Sequence, residues 1–97
     1  MVKYRIKIKD HFELNPEKVS DDLKNKTLET LGKGHKVKVT YKELPTKFIY
    51  AVYVENISLS GSEILLTQLM ELLKEITPTD KFVGFCGANG CTIYIKK

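Results

Sequence analysis

The sequence predicts a single α+β domain, spanning 1–97, with the element order β-α-β-β-α-β-β. Three observations carry that expectation. Two segments alternate between Lys/Arg and apolar residues, two others open on helix-start signals, and Gly87-Ala88-Asn89-Gly90 separates two short apolar runs. At 97 residues the chain has room for one modest core.

The elements follow in order. Val2, Tyr4, Ile6 and Ile8 alternate with Lys3, Arg5, Lys7 and Lys9, the period of a strand with one apolar and one wet face. Asn15-Pro16-Glu17 is a helix start: Asn15 can cap it, and Pro16 at the first helical position lacks an N–H that would have no partner anyway. That helix carries a thin apolar stripe of Val19, Leu23, Leu28 and Leu31, and Gly32 or Gly34 can supply a left-handed stop. Val37, Val39 and Tyr41 then alternate with Lys36, Lys38, Thr40 and Lys42 in a second strand. Leu44-Pro45-Thr46 turns the chain into a third strand, Lys47 to Asn56, apolar at nearly every position and so expected to have both faces at least partly covered.

Ser60-Gly61-Ser62-Glu63 matches a capping box, in which hydroxyl and carboxylate satisfy each other's backbone N–H groups. The helix it opens gathers Leu65, Leu66, Leu69, Met70, Leu72, Leu73 and Ile76 on one side, and Pro78 prevents its continuation. Lys81 to Cys86 and Cys91 to Lys96 complete the chain as a hairpin. The first six elements have the order of the ferredoxin-like split βαβ plan, with the last strand added to the sheet and both helices on one face. In that plan the third strand lies between the first and the second. The residues themselves carry no family signature.

Charge supplies the functional lead. The net charge is +4, with 12 Lys/Arg against 7 Asp/Glu in residues 1–48 and 4 against 5 in residues 49–97. One end is therefore basic, which favours a polyanion or an acidic protein surface as partner. Strand alternation sets Lys3, Arg5, Lys7, Lys9, Lys36, Lys38 and Lys42 opposite their apolar neighbours. The split βαβ order would hold these two basic columns about 10 Å apart, with the third strand between them. Either Phe48, Tyr50 and Val52 or Ile49, Ala51 and Tyr53 would fill the gap. Rings within a basic border suit single-stranded nucleic acid, because rings stack on bases and cations follow phosphates. Lysines that merely solvate an uncovered sheet face would give the same pattern.

Other chemistry is poorly supported. Lys47 to Val54 lacks the glycine that an RNA-recognition strand motif wants, and Tyr50 and Tyr53 fall on opposite faces. Gly84, Gly87 and Gly90 form neither a P-loop nor a dinucleotide fingerprint, so no cofactor is expected. The GxxG spacing of Gly87 to Gly90 reads as a turn that requires positive φ. Cys86 and Cys91 flank that turn and would come within disulfide reach of each other if the hairpin registers symmetrically, yet two cysteines without a secretory leader favour reduced thiols. With His11 and His35 they would make a Cys₂His₂ set, but the short spacings of zinc sites are missing, so no metal is expected. Asp10, Glu13, Asp21 and Asp22 read as loop and helix-dipole charges, and no catalytic residue is assigned.

The sequence thus points to a non-enzymatic, cytoplasmic binding protein that engages nucleic acid or a nucleic-acid-handling protein. Its expected contact residues are Lys3, Arg5, Lys7, Lys9, Lys36, Lys38, Lys42, Tyr50 and Tyr53. The alternative is a protein-binding inhibitor or adaptor of the phage anti-defence type, blocking a host nucleic-acid enzyme. Self-association into a homodimer is compatible with both, and a membrane partner is not expected, because the longest apolar run is far too short to span a bilayer.

Overall fold

The structure, a computed structural model, describes residues 15–32, 34–77 and 81–96. The first predicted strand, with Lys3, Arg5, Lys7 and Lys9, lies outside the described residues, as does His11. What is described is an α-β-β-α-β-β run: α1 (Pro16–Leu31), β1 (Val37–Glu43), β2 (Lys47–Val54), α2 (Leu59–Ile76), β3 (Phe82–Gly87) and β4 (Gly90–Lys96).

Both helices begin as capping chemistry requires. Asn15 Oδ1 accepts from the Lys18 N–H at 3.2 Å, and Pro16 is the first helical residue. Gly32 ends α1 with φ at +90° while its N–H donates to the Leu28 carbonyl at 2.8 Å. For α2 the cap is Ser58, two residues before the predicted Ser60. Its Oγ accepts from the Gly61 N–H at 3.0 Å, so Ser60 and Glu63 lie inside the first turns and form no capping box.

The four strands form one antiparallel sheet in the order β1-β2-β4-β3. The α+β class is as expected, and the strand order is not. Residues 47–54 pair on one side with β1 and on the other with β4, in the seat that the split βαβ plan gives to residues 2–8. The side chains account for the match: Phe48, Tyr50 and Val52 stand opposite Ile95, Ile93 and Cys91, and all six are buried on one face.

Among the described residues, helices cover that face alone. Val19 and Leu23 of α1 and Leu65, Leu69 and Leu73 of α2 pack against the inward residues of β2 and β4, with Val37, Val39 and Phe82 at the flanks. Thr27 is buried between them because its hydroxyl donates to the Leu23 carbonyl at 2.7 Å. No helix among the described residues is long and apolar enough to cross a membrane.

The architecture repeats itself. Pro16 and Leu59, which open the helices, are 43 positions apart, and so are Lys47 and Gly90, which open the inner strands. The hairpin pairs Val39↔Val52 and Tyr41↔Tyr50 become Phe82↔Ile95 and Gly84↔Ile93 under the same shift. Tyr50 and Ile93, related by that shift, pair with each other across the central seam. Topology and register are those of two α-β-β units about an approximate two-fold axis normal to the sheet. No residue-level repeat marks this in the sequence.

Candidate functional site

The face that no described helix covers is an ordered grid. At one end Lys38, Tyr53, Gly90 and Gly87 stand in a row across β1, β2, β4 and β3. Thr40, Ala51, Thr92 and Phe85 form the next row, and Lys42, Ile49, Tyr94 and Val83 the one after. Lys47 and Lys96 pair at the far end, where the Lys81 carbonyl accepts from the Lys96 N–H at 2.9 Å. Among these strand positions there is no Asp or Glu.

Register decides which predicted residues reach this face. Lys38 and Lys42 do, and Tyr53 does, with 52% of its surface exposed. Lys36 precedes β1 and lines a shallow cleft of about 350 Å³ with Lys38, Tyr53 and Glu55. Tyr50 does not. It is fully buried beneath the helices, and its hydroxyl donates to the Pro16 carbonyl at 3.2 Å. A ring held there has no face to offer a ligand, so Tyr50 is removed from the expected contact set. Its role is packing, and burial, with smaller contributions from Tyr41 and Glu43, holds its phenol well above the usual range.

Two rings absent from the expected set take its place. Phe85 is 55% exposed, and Tyr94 meets it edge to face with ring centroids 5.8 Å apart. The Lys47 ammonium lies over the Tyr94 ring, 4.9 Å from its centroid. Lys47, Lys81 and Lys96 border a concavity of about 600 Å³ whose walls include Val83, Phe85 and Tyr94. The face thus has an aromatic centre, lysines along the β1 side and more lysines at one end. Among the described residues, Lys38, Lys42 and Lys96 make no ion pair; the pairs shown, Lys18 with Asp22 and Lys26 with Glu29, are on α1.

The cysteines lie beneath this face. Cys86 and Cys91 are directly opposite in the β3–β4 register, and both are free thiols. Cys91 is buried, and its thiol donates to the Ser62 carbonyl at 3.4 Å. Burial, and to a lesser degree Cys86, raises the Cys91 pKa from 9.0 to about 11. An unfolded chain therefore releases this proton before the folded one does. The corresponding stability is intact below pH 9 and is lost as pH rises toward about 11. Urea unfolding at pH 8 and pH 10.5 should show a fall to which Cys91 contributes on the order of 2 kcal/mol. Cys91→Val should flatten that fall, and an unchanged fall would assign it to other groups. His35 Nδ1 lies 3.4 Å from the Glu55 carbonyl. No three of His, Cys, Asp and Glu among the described residues gather closely enough to hold a metal ion.

Comparison with protein-family models, with curated proteins and with solved structures gives no match to this chain.

Proposed function

We propose that the chain is a non-enzymatic binding protein that engages nucleic acid through the open face of its sheet. One observation carries this reading: Tyr53, Phe85 and Tyr94 share a face with Lys38, Lys42, Lys47 and Lys96, and no acidic strand residue interrupts them. Cations neutralise phosphates, and exposed rings stack on bases whatever their identity. A cytosolic setting fits the free thiols of Cys86 and Cys91. We read the two-layer arrangement as a ferredoxin-like variant in which β4 is seated beside β2.

Fluorescence-anisotropy titrations with short DNA and RNA oligonucleotides at several salt concentrations test the reading. Three or four neutralised phosphates give log K a slope of roughly −2 to −3 against log salt for a single strand. Absent or salt-independent binding rejects it.

A protein partner, engaged in the manner of an inhibitor or adaptor, is the second reading. It is favoured by Val83 and Phe85, both more than half exposed beside the outer edge of β3, which pairs with no further described strand.

A further inference from the structure

The first row of the open face is half empty. Lys38 and Tyr53 fill the β1 and β2 positions, and Gly90, itself buried, and Gly87, which is exposed, put no side chain at the other two. A concavity of about 190 Å³ occupies the gap, bounded by Tyr53 on one side and Phe85 on the other, with Thr92 and Asn89 at its margin. The flanking rings are the two most exposed on the sheet.

The two glycines have different causes. Gly90 has φ at +134°, and a Cβ there would strike the Val52 carbonyl oxygen, so the backbone itself demands glycine. Gly87 has no such demand upon it. Its φ lies outside the left-handed region, and a Cβ would meet nothing within 4 Å. Glycine in a strand costs stability relative to residues with side chains, and neither conformation nor packing accounts for this one. What its missing side chain provides is open space between two rings.

We propose that this slot seats one unpaired nucleobase between Tyr53 and Phe85, and that the face thereby selects single strands over duplex. The proposal rests on the nucleic-acid reading above and names the form recognised. A flat ring can reach a floor without side chains and present its faces to both walls. Lys38 stands beside the slot, and Lys47 and Lys96 lie three rows away, about 20 Å along the strands. Four-stranded sheets that bind in this way stack about two or three bases. Duplex bases hide their faces in the stack and cannot enter. The shared chemistry of slot and border is therefore that of an anionic polymer carrying exposed planar rings, which is what charge complementarity to strand rows holding lysines and no Asp or Glu calls for.

Gly87→Val gives the decisive comparison, because it fills the slot without conformational penalty. The probes are a ten-nucleotide oligothymidylate, the matching oligouridylate and a duplex of the same length, titrated at one salt concentration. The unaltered protein should prefer single strand by at least about 10-fold, and Gly87→Val should lose about 5- to 100-fold of single-strand affinity. Its duplex binding should be unchanged and its melting temperature no lower than that of the parent. Phe85→Ala, at a half-exposed side chain, should show the same selective loss and guards against a folding artefact in the first variant. If both variants bind single strand as the unaltered protein does, or the unaltered protein shows no preference, the slot is not a base seat, while salt-dependent binding would leave the parent reading standing. If neither form binds at all, both readings fall.

Discussion

Gly90→Ala should cost at least about 3 kcal/mol and lower the melting temperature by more than about 10 °C, whereas Gly87→Ala, three residues away, should cost no stability. The contrast follows from backbone geometry. At residue 90 the φ of +134° suits only glycine, and the added methyl would collide with the Val52 carbonyl of β2. That collision falls on the β2–β4 seam, the strand pairing that joins the two described α-β-β units. Alanine there must displace one central strand from the other and disturb the opposed Tyr50–Ile93 and Phe48–Ile95 pairs beneath the helices. Residue 87, facing open space, has nothing to displace. Thermal melting followed by circular dichroism separates the two cases. A Gly90→Ala protein that melts within a few degrees of the parent would show that β2 and β4 are not in such close approach.

The largest functional effect should come from removing Lys38, Lys42 and Lys96 together. All three are exposed, project from the open face and make no ion pair among the described residues, so their loss as alanines should leave folding essentially intact. If each meets one phosphate of a single strand, the triple variant should lose about 100-fold in affinity at 0.1 M salt and about 2 from its log–log salt slope. Replacing Lys18, Lys24 and Lys26 of α1 changes the net charge equally but touches another surface, so the slope should stay where it was. Equal effects from the two triples would mean that net charge, not the sheet face, drives binding. Lys47 belongs in neither set, because its place over the Tyr94 ring mixes packing with charge.

Much of this arrangement was legible in the residues, for local reasons. The alternation of Val37, Val39 and Tyr41 with Lys38 and Lys42 fixed the faces of β1, and Asn15-Pro16 and Gly32 bounded α1. The face of β2 was not legible from its own composition, since both of its sides are largely apolar. It is set by register: the short link at 44–46 places Lys38 opposite Tyr53 and Tyr41 opposite Tyr50, which sends Tyr50 inward with the apolar side of β1. Counting across that link would have excluded Tyr50 as a contact residue. Strand order was illegible for a different reason, because periodicity says which face a strand buries and nothing about its neighbour. With β4 taken as an outer addition, Phe85 and Tyr94 were not brought near Tyr53 and did not enter the expected site. The two serines ahead of α2 show the limit of a motif: Ser60 fits the capping pattern by spacing, but Ser58 receives the Gly61 N–H.

The near two-fold repeat has a last consequence, because the halves match in backbone and differ in chemistry. The shift that superposes them carries Lys42 onto Phe85 and Tyr53 onto Lys96, exchanging cation for ring in both cases. A strictly duplicated surface would accept a polymer running either way. This one distinguishes head from tail, so a bound chain with its own polarity should settle in a single direction across the strands.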